Sequence, residues 1–197
     1  MTRSSGALPA SFYARPTPEV ARRLLGHVLV SDIGGRRTAG RIVETEAYLG
    51  PEDPASHGYR ARRTRRNESL FAPPGTAYVY FTYGMHWCLN AVTERAGFPS
   101  AVLIRAVQPL EGLDTMRRRR GGVDDRQLCS GPAKLCQALG VTGRQDGVPL
   151  TGRSGLRIVR NEIRQRPAIT TTPRIGITHA AAWPLRFLIE DSPWVSR

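Results

Sequence analysis

One domain of mixed α/β class, in which helices and antiparallel strands are interleaved (α+β), is what this sequence predicts. Three observations carry the prediction. Two stretches read as strand, tight turn, strand; two others carry helix punctuation; and across the 197 residues neither a repeat nor a change in composition asks for a second domain.

The elements follow in order. The first dozen residues hold no strong signal, and residues 1–8 read as a flexible N-terminus. In "ARPTPEVARRLLG", Thr17 as N-cap, Pro18 at the first helical position, Glu19 in the first turn and Gly26 as a stop bracket a short helix. His27 to Ile33 and Arg37 to Tyr48 are β-like runs joined across Gly34 and Gly35. "GPEDPASHGYRARRTRRNESLFAPPG" is a long loop, with five arginines between residues 60 and 66, and a loop of that length inside a compact domain is functional or disordered. "TAYVYFTYGMHWCLNAVTE" is a strand, a turn at Tyr83-Gly84-Met85-His86 and a second strand. "SAVLIRAVQPL" is a buried strand. Leu110 to Arg120 and Pro132 to Leu139 are expected as helices, and "GLRIVRNEI", "RIGITH" and "LRFLIED" as short strands.

Charge narrows the partners. The formal net charge is +13 and the pI about 11.0, which calls for a polyanion. A membrane surface fits less well than nucleic acid, because no apolar run approaches the roughly 18 residues of a spanning helix and the N-terminus has no signal-peptide core. The expected compartment is the cytoplasm, at the nucleoid in a bacterium. Of the 29 basic residues only Lys134 is lysine, and guanidinium suits bidentate phosphate contacts. Cys88, Cys129 and Cys136 are odd in number and form no C-x-x-C pair, which fits reduced thiols; the four histidines are scattered. No metal site and no cofactor are expected.

Four constellations carry candidate chemistry. On β periodicity Ile42, Glu44, Glu46 and Tyr48 share one face of a strand and Val43, Thr45, Ala47 and Leu49 the other, so two carboxylates sit together beside an aromatic ring. They pair with nearby arginines or they serve a reaction. The turn at Tyr83, Met85 and His86 is apolar where a turn is usually polar; its side chains fold back into the core, or they wedge between base steps of a duplex. The arginine-dense loop with Arg62, Thr64 and Arg66 is a solvated face or a phosphate contact. Ser130 and Gly131 precede Pro132 at a helix start, leaving backbone N–H groups that cap the helix or meet a phosphate, with Lys134 close by.

The blocks "GRIVETEAYLGPEDPASH", "PGTAYVYFTYGMHWCLN", "VLIRAVQPLEGL", "CSGPAKLCQAL" and "PLRFLIEDSPWVS", in this order from about Leu8 onward, resemble the alkyladenine DNA glycosylase family, the methylpurine type of 3-methyladenine DNA glycosylase. The resemblance implies a curved antiparallel sheet from which a β-hairpin enters the DNA minor groove. It implies that Tyr83 takes the place of a flipped nucleotide with Met85 beside it, and that His86 stands where the family usually has an aromatic residue. The extruded purine would lie between Tyr48 and Tyr80 on one side and His57 on the other, Asn90 would bar normal guanine, Glu46 would activate water for attack at the sugar C1′, and Arg105 would sit near that water. Glu44 is left to support the site. The expected substrate is duplex DNA carrying 3-methyladenine, 7-methylguanine, hypoxanthine or ethenoadenine.

Strand cleavage would need an amine nucleophile, and Lys134 lies outside the motif of Glu46, so a monomeric, monofunctional hydrolase that leaves an abasic site is expected. The alternative is a non-catalytic basic nucleic-acid-binding module. A zinc nucleobase deaminase is set aside, since the H-x-E and P-C-x-x-C pair is absent.

Overall fold

The computed structural model describes residues 6–82, 84–152, 154–161 and 167–196. Its helices are α1 (Ala10–Tyr13), α2 (Thr17–Leu24), α3 (Leu113–Arg119) and α4 (Pro132–Leu139). Its strands are β1 (Val28–Ser31), β2 (Thr38–Tyr48), β3 (Ala77–Thr82), β4 (His86–Val92), β5 (Ala101–Glu111), β6 (Leu156–Val159), β7 (Ile169–Thr172) and β8 (Arg186–Ile189). They form one antiparallel sheet in the order β3-β4-β5-β2-β1-β6, and β8 pairs with both β2 and β7.

β2 organises this sheet. Its first half pairs with β1 from Thr38 to Arg41, its second half pairs with β8 from Glu44 to Glu46, and β5 runs along its other edge. The β2–β5 ladder is irregular between Ile42 and Thr45. Ile42 pairs with Val107, Glu44 with Ala106 and Thr45 with Ile104, so the register shifts on either side of Glu44. Irregularities of this kind re-aim side chains and are common beside functional sites.

The two faces of the sheet differ in chemistry. On one, Ala47, Val79, Leu89, Ala91, Val102 and Ile104 join Leu24 of α2 and Leu135 and Leu139 of α4 in the main hydrophobic core, and the Thr45 hydroxyl donates to the Ala21 carbonyl of α2 at 3.0 Å. Ile42 belongs to this core rather than to the face of Glu44 and Glu46, because the strict alternation lapses at the ladder irregularity. The other face carries Glu44, Glu46, Tyr48, Tyr78, Tyr80, Asn90 and Arg105.

Several expectations shift. Thr17 is helical and Pro16 is the N-cap; the Thr17 hydroxyl donates to Glu94 Oε1 at 2.7 Å instead of capping its own helix. α3 begins at Leu113 rather than Leu110, since β5 continues to Glu111. The N-terminal segment is tied down from Leu8 onward: Leu8 and Phe12 are buried, and the Leu8 N–H donates to the Ile158 carbonyl at 2.9 Å. "RIGITH" is not a strand; the neighbouring Ile169–Thr172 takes that role. The arginine-rich loop is ordered into short 3-10 turns at Tyr59–Ala61 and Arg65–Phe71. Gly58 lets it approach the sheet, since a Cβ there would lie 2.4 Å from the Pro99 carbonyl oxygen.

Leu135→Ala should cost about 2–5 kcal/mol, the price of an unfilled core cavity, read as a lower urea midpoint with an unchanged slope.

Candidate functional site

Two buried carboxylates and one guanidinium form the centre of the polar face. Arg105 Nε donates to Glu44 Oε1 at 2.9 Å and its Nη1 lies 3.3 Å from Glu46 Oε1. Burial alone would lower the pKa of Arg105, but Glu46 and Glu44 outweigh it and the net shift is upward, so the guanidinium stays charged. Glu44 is held from the far side as well. Arg186 Nε donates to Glu44 Oε1 at 2.7 Å, the Ser196 N–H donates to Oε2 at 2.6 Å, and the Ser196 hydroxyl donates to Oε1 at 2.8 Å. Those contacts make Glu44 a tie between β2, β5, β8 and the segment beyond it.

Glu46 is held differently. Its Oε1 accepts the Ile175 N–H at 2.8 Å and its Oε2 accepts the Tyr48 hydroxyl at 2.9 Å. Burial, with Glu46 adding to it, pushes the Tyr48 phenol well above its ordinary value, so Tyr48 keeps its proton and remains a donor. A carboxylate has about four acceptor positions, so Oε2 retains capacity for one further donor.

Beside it lies an aromatic cleft of about 30 Å³ lined by Tyr48, His57, Tyr78, Tyr80 and Asn90 among others. That is room for one or two waters, so a purine enters only if side chains move. The His57 and Tyr80 rings meet edge to face, with centroids 4.5 Å apart. No base fits between them. His57 and Tyr80 flank the cleft in mutual contact. His57 Nδ1 and the Tyr78 hydroxyl are 2.7 Å apart, and Asn90 Nδ2 donates to the Tyr78 carbonyl at 3.1 Å.

Around the cleft the chain is basic. Arg62, Thr64 and Arg66 are exposed and, with His57, line a cavity of about 260 Å³. Arg66 Nη2 donates to the Phe81 carbonyl at 2.7 Å. Thr64 is partly committed to structure, its N–H and hydroxyl both donating to Asn67 Oδ1, while Asn67 Nδ2 donates to the carbonyls of His57 and Arg62. Asn67 thereby fixes this loop. Past Asn90, β4 pairs with β3 alone, as far as Thr82 and His86. At the turn Met85 is 69% exposed and His86 is exposed, so neither folds back into the core. Tyr83 lies outside the described residues. Ser130 and Gly131 open α4 as expected, Gly131 being its N-cap, and Lys134 is half-buried in its first turn. The three cysteines are free, buried thiols, and burial pushes Cys129 up to about 12. Among the described residues no group of three potential metal ligands occurs, and no helix is long and apolar enough to cross a membrane.

Sequence reasoning passed over Asp53, Arg174, Ile175, Arg186 and Ser196. Arg186 and Ser196 lay within the quoted block "PLRFLIEDSPWVS", but no spacing connects them to Glu44, 142 and 152 residues away. Ile175 acts through its backbone, which leaves no trace in residue type.

Glu44→Ala removes the buried carboxylate that Arg105 and Arg186 share and should lower stability by about 3–5 kcal/mol in urea titration. Enclosure of the ring, helped by Arg66, holds the pKa of His57 below its ordinary 6.5. The unfolded chain therefore takes up a proton where the folded chain does not, and stability falls as pH drops through that ordinary value. Between about pH 7.5 and about pH 5 the protein should lose more stability than His57→Gln; parallel losses would contradict this.

The family model described as methylpurine-DNA glycosylase matches residues 11–193. A chain of Carboxydothermus hydrogenoformans is 47% identical over 190 residues, covering 96% of this chain and 98% of that one. The DNA-3-methyladenine glycosylase of Mus musculus is 45% identical over 207 residues, covering 98% of this chain and 62% of the mouse protein. That of Homo sapiens is 44% identical over 203 residues, covering 96% of this chain and 67% of the human one.

Proposed function

Because the chain belongs to the methylpurine-DNA glycosylase family, we propose that it removes 3-methyladenine, 7-methylguanine, hypoxanthine and ethenoadenine from duplex DNA by hydrolysing the N-glycosidic bond. It is a DNA glycosylase, a hydrolase of base excision repair. The observation that carries the fuller reading is a buried glutamate, Glu46, oriented by Tyr48, Arg105 and the Ile175 N–H at the edge of an aromatic cleft.

The cation-rich loop and the start of α4 hold the backbone phosphates through Arg62, Thr64, Arg66, Ser130, Gly131 and Lys134. Met85 and His86, together with Tyr83, enter the minor groove and fill the gap left by the flipped nucleotide. Flipping costs a few kcal/mol, least at a damaged pair. The extruded purine stacks with Tyr48 on one side and with His57 and Tyr80 on the other, at roughly 1–3 kcal/mol per stacked ring, while Asn90 crowds the 2-amino group of normal guanine. Glu46 takes a proton from water as it attacks C1′, and its negative charge stabilises the oxocarbenium character that develops as the bond to the departing base breaks. Arg105 keeps the carboxylate aimed at the sugar. The enzyme works as a monomer in the cytoplasm, uses no cofactor and leaves an abasic site without cleaving the strand.

Glu46→Gln keeps the size of the side chain and removes the base. On duplexes bearing one hypoxanthine or one alkylated purine it should release base about 10²–10⁴-fold more slowly, with duplex binding retained. Free base and strand breaks are followed separately, and wild-type strands should stay intact until alkali is added. Undiminished release by the variant would remove Glu46 from the mechanism; absence of release by the wild type would leave a DNA-binding module.

A further inference from the structure

Tyr48 has a buried neighbour that the mechanism above leaves unused. The guanidinium carbon of Arg174 lies 4.7 Å from the centre of the Tyr48 ring, and its side chain is fully buried. Asp53, also fully buried, accepts from both terminal nitrogens at 2.5 and 2.8 Å, and the Ala47 carbonyl accepts from Nη1 at 3.1 Å. Asp53 is itself fixed by the N–H groups of Leu49 and Ala55 at 3.1 and 3.0 Å. The guanidinium therefore cannot swing away from the ring.

A flat ring offers two faces. Tyr48 lines the aromatic cleft and Arg174 does not, so the guanidinium covers the face turned away from the cleft and a base must use the other. A cation on one face of an aromatic ring draws π density toward itself, which leaves the opposite face a poorer partner for a second cation. Dispersion and shape contact with a neutral ring are unaffected. Asp53 cancels the charge of Arg174 at longer range, which confines the effect to the ring that Arg174 touches.

We propose that Arg174 is a specificity-determining residue that, by occupying the far face of Tyr48, lowers the preference of the cleft for cationic N-alkylated purines relative to neutral lesions. The proposal rests on the reading that Tyr48 stacks on the flipped base.

The test compares single-turnover release of cationic 7-methylguanine and neutral hypoxanthine, each placed once in the same duplex. Asp53→Asn/Arg174→Gln removes both charges together, so that no unpaired charge stays buried. The ratio of 7-methylguanine to hypoxanthine rates should rise about three- to tenfold, the size of one partly desolvated cation–π contact, and the rise should vanish when Tyr48→Leu is added. Equal losses on both lesions would overturn the proposal, because a pair that merely supports the fold affects both alike. Should the double variant not fold, the measurement moves to Tyr48→Phe and its ring-fluorinated analogues with Arg174 in place. There the ratio should hold within about twofold as fluorine drains the ring, and a steep fall would overturn the proposal. Release of neither base by the wild type would instead defeat the glycosylase reading on which the role of Arg174 depends.

Discussion

Two carboxylates share one guanidinium inside this protein, and the arrangement of the polar face depends on that cluster. Glu44, Glu46 and Arg105 are all buried, and taking such groups out of water costs more than their attraction alone commonly returns. Buried ion clusters of this kind are often no more stabilising than apolar residues of similar volume. The cluster has a full set of partners and fixes positions: Glu44 is held by Arg105, Arg186 and Ser196, and Glu46 by Arg105, Tyr48 and the Ile175 N–H.

The sheet makes this arrangement possible by separating its two duties. Its helix side is a conventional apolar core in which α2 and α4 press on β2, β4 and β5. Its other side carries polar groups, met by His57 of the arginine-rich loop, by Arg174 and Ile175, and by Ser196. Aromatic rings from β2 and β3, a histidine from the loop and an arginine from β5 converge there because each strand presents alternate residues to that side. Rigidity comes from the core, and the chemistry is drawn from the polar face.

Much of this was legible in the sequence. Period-two alternation placed Glu44 beside Glu46 and Tyr48, glycine pairs and turn residues marked the β1–β2 and β3–β4 connections, and Gly131-Pro132 with Gly140 bounded α4. What escaped has a common physical character. Ile42 changed face because a ladder irregularity is invisible to periodicity, and Leu8 was underrated because burial of a terminal segment is decided by distant residues such as Ile158. Arg174 and Asp53 meet across 121 residues, and nothing local in "TTPRIG" distinguishes a buried guanidinium from an exposed one. The apparent strand "RIGITH" failed for the same reason: its backbone serves Glu46 through the Ile175 N–H rather than a neighbouring strand.

The ties on Glu44 also bear on the order in which the molecule comes together. Its partners Arg186 and Ser196 stand 142 and 152 residues further along the chain, whereas β1, β2 and α2 contact one another across short separations. Contacts between residues far apart in sequence form late, since the intervening loop must close before they give any return. During synthesis β2 is therefore made long before the arginine that shields its carboxylate, and two acidic side chains stay in water while the first part of the sheet assembles. The same spacing that completes the polar cluster therefore ties its assembly to the end of the chain.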